Sequence, residues 1–410
     1  MEPGAIPAGA GGRWRVSVSA GGRRGAYDPS VVGVRQWLRE ASSLAGADVE
    51  TVAVLRDGEV DGARNDVRRV GDGERTYVMK AYVETSGNPA AREAAGLLIA
   101  GRELAPRLLG IAADPPVLLM EDLGDGRALS DLLGIASGAS ASAGDATDAL
   151  VGWADTIGRL HRHSLGRREE FVEVLARHGG CGGAFEDRIE PPEAEDQLVA
   201  SIEDLQSLTA ELALPSSEVA AEQVRALVQP LAEREDSVLS PGDICPDNNR
   251  LLPGPDGGGG AGVVLLDFEF AGFRHPAWDL AYLHVPWPTC WCSWQMPEEA
   301  VEQGRRAYAE QIGPDGWIHR DDADDLLDRA VLAWCLASSA WFLRGAMVGD
   351  SPAGGPGGEP APGRRSLLLR RLAIAGEAEH PGLSAYAGEL RAELVRRWGE
   401  SELPLAPAYA

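Results

Sequence analysis

Four side chains of scarce or telling type fix where chemistry is to be sought. The chain has a single lysine, Lys80 in "TYVMKAY", among 38 lysines and arginines, and only four asparagines, Asn65, Asn88, Asn248 and Asn249. In "SPGDICPDNNRLL" Asp243 stands five residues before Asn248, and a second acid, Asp267, ends the apolar run "GVVLLD". Two carboxylates and an amide oxygen are hard donors that suit Mg²⁺, which usually takes one or two carboxylates and keeps its other positions for phosphate and water. The Gly run 257–260 does not make a phosphate loop, because no Lys-Ser/Thr follows it. With Lys80 the only lysine, that motif exists nowhere in the chain.

Those donors must be brought together by local structure. "NRLL" and "GVVLLD" are short apolar runs joined by "PGPDGGGGA", a hairpin signal. In an antiparallel hairpin the start of the first strand lies beside the end of the second, so Asn248 and Asp267 are expected as neighbours, with Asp243 close by. Upstream, "TVAVLRDG", "ARNDVRRV" and "RTYVMKAYV" alternate or run β-branched and predict an antiparallel meander over 51–83. A helix is expected at "NPAAREAAGLLIAGRE", with Asn88 as N-cap and Pro89 at its first position, then a strand in "PPVLLMEDLGDG". From "ALVGWADTIGRLHRHSL" onward the pattern is helical, interrupted only by the segment 237–272. The expected organisation is 1–45, a mobile extension with a helix; 46–123, a sheet-rich lobe; 124–350, a larger helical lobe; and 351–410, a Gly/Pro linker and C-terminal helices.

Composition narrows the partners. With 410 residues, 44% hydrophobic and 25% charged, the chain has ample material for a core. A net charge of −25 disfavours nucleic acid, and no polybasic patch answers an anionic membrane. "MEPGAIPAGAGGRWRV" lacks the apolar stretch of a signal peptide and no run of 18 apolar residues occurs, so a cytoplasmic protein is expected. Five cysteines are an odd number that suggests no disulfide framework, and "TCWC" has no CxxC or His partner at zinc spacing.

The order Asp-x-x-x-x-Asn, hairpin, Asp-Phe resembles the catalytic and metal-binding segments of the protein-kinase-like fold. Over residues 240–283, "PGDICPDNNRLL…VVLLDFEFAGFRHPAWDLAYL" is similar to the aminoglycoside phosphotransferase and choline kinase group of small-molecule kinases. That group has His-Gly-Asp, four residues, Asn, then Asp-Phe-Glu, then Pro-Ala-x-Asp-Leu-Ala. The likeness is looser over about 51–165 and does not cover 1–45 or the C-terminal tail. It implies an α+β, bilobal protein-kinase-like fold with a small antiparallel-sheet lobe bearing one main helix and a larger, mostly helical lobe. It also implies ATP and Mg²⁺ as cofactors and a small-molecule hydroxyl as acceptor: an aminoglycoside-like or other antibiotic, an amino alcohol or a sugar.

Residue by residue, the resemblance makes Asp243 the base that orients the acceptor hydroxyl and Asn248 and Asp267 the Mg²⁺ ligands. Asp279 would brace the catalytic loop by accepting backbone hydrogen bonds. Lys80 would grip the α/β-phosphates and pair with Glu93, a task that suits a compact ammonium better than a flat guanidinium. Asn65 would fall in the loop covering the triphosphate, and the backbone at Glu121 and Leu123 would read the adenine edge. His161 is expected to be structural, and Trp287, Trp291 and Trp294 core aromatics, with stacking on a ligand as the alternative. The acidic run 186–197 is read as a solvated face, with attraction of an amine-bearing substrate as the alternative.

The chain departs from the pattern at Pro241, where the group has histidine, and in its first loop, which offers only Gly58 and Gly62. The missing histidine motivates a rival reading, a pseudokinase that binds nucleotide as a scaffold or regulator. Survival of Lys80, Asp243, Asn248 and Asp267 together favours the enzyme. "PAWDLAYL" follows Asp267 so closely that no activation segment remains for a peptide platform, which disfavours a protein kinase.

Overall fold

The computed structural model describes residues 33–57, 64–83, 88–135, 141–179, 194–214, 219–232, 235–252, 262–352 and 359–410. The expectations placed on 1–30, on Gly58 and Gly62, on 186–193 and on the Gly run 257–260 lie outside these residues, as do residues 353–358 of the Gly/Pro linker.

The first lobe contains α1 (Val34–Ala45), β1 (Glu50–Arg56), β2 (Asn65–Gly71), β3 (Thr76–Tyr82), α2 (Pro89–Ala100), β4 (Leu108–Ala113) and β5 (Pro116–Glu121). The strands form one antiparallel sheet in the order β1-β2-β3-β5-β4, with β3 at its centre. The expected meander is its first half; β4 was not anticipated, because "LLGIAA" has neither alternation nor β-branched density. Side chains alternate across a strand, and β3 uses both faces. Met79 and Ala81 pack with Trp37 and Ala41 of α1 and with Val117 and Leu119 of β5, while Tyr82 turns to the other face and joins the core around α2. Lys80 has the parity of Tyr82 and faces α2.

Asn88 does precede α2, but it is in the left-handed region (φ 55°) and its side chain caps nothing. Pro89, with its fixed φ and missing N–H, is what opens the helix.

The second lobe follows as α3 (Leu129–Leu132), α4 (Ala143–Ser164), α5 (Arg168–Gly179), α6 (Ala194–Glu211), α7 (Ala221–Val228), β6 (Val238–Ser240), β7 (Asn249–Leu252), β8 (Gly262–Leu265), β9 (Gly272–Arg274), α8 (Ala277–Leu280), α9 (Glu298–Ile312), α10 (Ala323–Val348), α11 (Arg364–Glu377) and α12 (Pro381–Trp398). Helix α4 starts with a capping box: Ser142 Oγ accepts from the Asp145 N–H (3.1 Å) and Asp145 Oδ2 accepts from the Ser142 N–H (3.2 Å). Among the described residues α10 is the one helix long and apolar enough to cross a membrane. Its Leu332, Ala333, Trp334, Cys335 and Leu336 are buried on successive faces in the core shared with α4, α11 and α12, the mark of a central helix in a large core.

The break between helices is two small antiparallel pairs. β7 and β8 form the expected hairpin, with Asn249 opposite Leu265, and the Leu266 N–H extends the ladder to the Asn248 carbonyl (2.9 Å). β6 pairs with β9, Ser240 opposite Gly272. The loop from β6 to β7 carries Asp243, and the loop from β8 to β9 carries Asp267. Because both loops connect the same two strand pairs, they run side by side.

Candidate active site

Lys80 is 4% exposed and its ammonium lies among three carboxylates, one on α2 and two in the loop after β8. Nζ is 2.6 Å from Glu93 Oε2 on α2, 2.7 Å from Asp267 Oδ1 and 3.4 Å from Glu269 Oε2. Tyr82 donates its hydroxyl to the same Glu93 oxygen. Burial works against the charge on Lys80, but Asp267, Glu93 and Glu269 outweigh it and hold the ammonium above the usual lysine range. Asp267 shows the converse: burial opposes its charge, yet the Lys80 ammonium, with Arg56 and Arg64, holds its carboxyl below the usual range. Burial wins at Glu93, whose carboxyl is raised despite Lys80.

Backbone geometry brings these groups together. Asp267 has φ 61°, a left-handed turn that aspartate tolerates better than most residues. Helix α2 approaches closely at Gly96, where a Cβ would sit 2.7 Å from the Phe268 ring. The residue beside Asp267 thus packs against the helix that bears Glu93.

Glu269 was not among the expected site residues. It is 5% exposed, accepts from Asn65 Nδ2 (2.6 Å) and pairs with Arg64 (3.0 Å). Asn65 therefore needs correction: it is the first residue of β2, 1% exposed, and its amide is tied to Glu269 across the lobes rather than offered from a loop over phosphates. Arg56 Nη1 also donates to its Oδ1 (3.4 Å).

The loop with Asp243 is held from behind by a buried chain of hydrogen bonds. The Gly242 N–H donates to Ser240 Oγ (3.0 Å), which donates to Asp279 Oδ1 (2.7 Å). Asp279 Oδ2 meets His161 Nε2 (3.0 Å), His161 Nδ1 meets the Tyr308 hydroxyl (2.8 Å), and Trp317 Nε1 donates to that hydroxyl (3.0 Å). With Trp317 as donor, the consistent assignment has Tyr308 donating to Nδ1 and Nε2–H donating to Asp279. Asp279 thus braces the loop through the side chains of Ser240 and His161, not by accepting from the backbone. Gly242 has φ 87°, and a Cβ there would lie 2.5 Å from the Phe270 carbonyl oxygen, so the turn admits only glycine.

Asp243 itself is surrounded by neutral donors. Its Oδ1 accepts from Thr289 Oγ1 (2.7 Å) and Cys245 Sγ (2.8 Å), and Thr289 Oγ1 also meets the Tyr282 hydroxyl (2.9 Å). Burial pushes its carboxyl up to about 6, against the pull of Cys245 and Thr289, with Asp247 and Asp267 adding to the rise. Asn248 Nδ2 donates to the Asp243 carbonyl (2.9 Å), so of its amide atoms the oxygen is the one that could hold a cation. Asn248, Asp267 and Glu269 are hard oxygen donors that fit Mg²⁺ in type.

Glu121 ends β5, and its N–H donates to the Arg107 carbonyl (2.9 Å), so only its carbonyl could face a base edge. Leu123 is half-buried in the link from β5 to α3. Trp287 is 1% exposed and packs edge-on against Trp153 at 5.3 Å, as a core aromatic. Trp291 Nε1 donates to Asp247 Oδ2 (3.0 Å). The segment around them is clamped from α11 by the buried Arg371, whose Nη2 donates to the carbonyls of Pro286 (3.1 Å) and Trp287 (3.3 Å). Within it Cys290 and Cys292 form a disulfide, contrary to the expectation from the odd cysteine count; two residues apart on a turn, their Cα atoms are 5.2 Å from one another.

The structure therefore brings Lys80, Glu93 and Asp267 together, and Asp243 with Asn248. Sequence reasoning missed Glu269, Ser240, Thr289 and Cys245. Glu269 had a signal, two residues after Asp267 in "DFEF"; Thr289 had none, since its partner lies 46 residues away.

A family model described as "Phosphotransferase enzyme family" matches residues 60–317. No curated protein matches the chain. Among solved structures, the chain is similar to a Ralstonia eutropha JMP134 protein provisionally named an aminoglycoside phosphotransferase, with 14% identity, coverage of 87% of this chain and 96% of that one, and a TM-score of 0.48. It is also similar to an ethanolamine kinase of Plasmodium vivax, at 14% identity, 86% and 83% coverage and a TM-score of 0.40. A spectinomycin phosphotransferase solved with ADP and spectinomycin is 12% identical over 76% of this chain and 88% of that one, with a TM-score of 0.43.

Proposed function

The chain belongs to the phosphotransferase enzyme family, and from that premise we propose that it moves the γ-phosphoryl group of ATP, with Mg²⁺, to a hydroxyl of a small molecule. The carrying observation is Lys80: the only lysine is buried and held by Glu93 at 2.6 Å and Asp267 at 2.7 Å. Structural lysines this deep are rare unless paired, and this one carries more carboxylates than one ammonium needs.

Asn248 and Asp267 would hold the magnesium ion, which supplies positive charge against the β- and γ-phosphate oxygens. Lys80 would donate to the α/β-phosphates while Glu93 fixes its position, and the backbone at Glu121 and Leu123 would bind the base. Asp243 is the base: with both neutral donors on Oδ1, Oδ2 is left to accept the proton of the acceptor hydroxyl. At neutral pH a carboxyl raised to about 6 is mostly ionised yet still a competent proton acceptor. Phosphoryl transfer asks little covalent chemistry of the protein, so orientation and charge placement are most of the catalysis. The acceptor class is a hydroxyl on an antibiotic, amino alcohol or sugar.

The test is ADP release from ATP and Mg²⁺ across a panel of aminoglycosides, nucleoside antibiotics, amino alcohols and sugars. Acceptor-dependent ADP with at least one of them supports the reading. Nucleotide binding with no ADP from any acceptor would replace it with the scaffold role.

A further inference from the structure

The structure gathers a second donor set beside the first, from residues that no sequence spacing links. Cys245 Sγ, Cys290 Sγ and an Asp247 carboxylate oxygen lie within 4.8 Å of one another, and the sulfur of Cys292 is bonded to that of Cys290. The three cysteines are 3%, 3% and 0% exposed, whereas Asp247 is half-buried and marks the side open to solvent. We propose that the reduced chain binds one thiophilic divalent cation of the Zn²⁺ or Cd²⁺ type through Cys245, Cys290 and Cys292, with Asp247 as the fourth ligand.

Three features argue for a built site rather than a chance grouping. The donors suit the ion: three thiolates and a carboxylate oxygen make a tetrahedral set with bonds of about 2.3 Å to sulfur and about 2.0–2.2 Å to oxygen, and reduction frees the Cys290 and Cys292 sulfurs to move apart to the spacing such a set needs. The outer groups are in place: Trp291 Nε1 holds Asp247 Oδ2 (3.0 Å), while Oδ1 lies 3.9 Å from Cys290 Sγ. The Cys292 N–H donates to Cys290 Sγ (3.3 Å) and Thr289 Oγ1 is 3.3 Å from Cys245 Sγ, contacts that orient sulfur ligands. Finally, both segments are anchored independently: Asn248 and Asn249 pin the loop bearing Cys245 and Asp247 to its own carbonyls, and Arg371 clamps the segment bearing Cys290. Soft thiolates reject Mg²⁺, so the two sites sort cations by softness.

In the disulfide state only Cys245 and Asp247 remain as ligands. A dithiol reductant passes two electrons and two protons to the Cys290–Cys292 bond and leaves as a cyclic disulfide; the three thiols then release their protons to solvent as the cation binds. Occupancy removes the thiol proton that Cys245 donates to Asp243 Oδ1 (2.8 Å), which couples the site to the acid proposed as base. That coupling rests on the function proposed above; the binding does not.

The experiment uses the full chain, reduced with dithiothreitol, freed of it anaerobically, and titrated with Cd²⁺ without nucleotide or Mg²⁺. The thiolate-to-cadmium charge-transfer band is the readout. The expected result is saturation at one equivalent, a band about threefold weaker in the unreduced protein, and loss of tight binding in Cys290→Ser and in Cys245→Ser. Thermal midpoints, read in parallel, rise with Cd²⁺ for the reduced protein only, which covers a variant that fails to fold. No band in the reduced wild type overturns the site, and so does a band unchanged in both variants, which would assign it to Cys181 or Cys335. Because neither ATP nor an acceptor is present, failure here leaves the kinase reading standing, and failure of ADP release leaves this one standing.

Discussion

Asp243 and Asp267 occupy adjacent loops that link the same two strand pairs, yet the fold drives their carboxyls in opposite directions. Asp267 faces the Lys80 ammonium at 2.7 Å and is held below the usual range. Asp243 instead faces two neutral donors, the Thr289 hydroxyl and the Cys245 thiol, and burial raises it to about 6. One carboxyl is thereby held toward its charged form, which suits the role of cation ligand proposed for it. The other is poised to take a proton near neutral pH. Distance from an ammonium, rather than residue type or degree of burial, separates the two roles.

The most severe break in this contrast is Asp243→Asn, which is expected to lower turnover by about 10²–10⁴-fold, the usual share of a general base, while calorimetry still detects nucleotide binding. Unchanged turnover would remove Asp243 from the chemistry. The same variant makes a stability prediction of definite sign. A carboxyl whose folded-state value is raised contributes stability that is full below the unfolded value of about 4 and is lost as pH rises through about 6. Asp243→Asn should therefore raise the thermal midpoint at pH 8 and leave it nearly unchanged at pH 4.

Lys80→Met attacks the other side. It leaves Glu93, Asp267 and Glu269 without their shared ammonium, and about 3–5 kcal/mol of stability should be lost at neutral pH by denaturant titration. The loss should shrink as pH falls and the carboxyls take up protons. Lys80→Arg keeps the charge but not the compact geometry, and should raise the KM for nucleotide more than the retained charge suggests.

Ser240→Ala tests the relay behind Asp243. It strips the Gly242 N–H and Asp279 Oδ1 of their shared hydroxyl, at about 1–3 kcal/mol, and should lower kcat with little change in KM. The smallest effect is expected from Thr289→Val. Removing a donor to the carboxylate should move the acidic limb of the kcat/KM profile up from near 6 by about one pH unit. An unmoved limb would assign that limb to another group.

Much of the first region was legible before any fold was known. Lys80 stood out by rarity, Glu93 by its helix, and Asn248 and Asp267 by the hairpin that the glycine- and proline-rich turn announced. The relay was legible only in part: Asp279 was expected as a brace and His161 as structural, but nothing pointed to Ser240, Tyr308 or Trp317 or to their joining. Its members, Ser240, Asp279, His161, Tyr308 and Trp317, come from five separate elements and include no pair at a diagnostic spacing. Asn65 misled for a related reason: its place between two strands suggested a loop, whereas β2 begins at that residue and its amide is satisfied by Glu269. "TCWC" was set aside for want of partners nearby in sequence, and the partners, Cys245 and Asp247, lie more than 40 residues upstream.

Sequence by itself determined the donors and the short-range geometry that aligns them, because strand alternation, a tight hairpin and a proline-led helix act within a few residues of their cause. Only the tertiary structure decided which carboxyl is held toward its charged form, which thiols meet, and what holds the loop bearing Asp243 from behind. Those outcomes depend on burial and on distances between groups far apart in the chain, and neither is written in any local pattern.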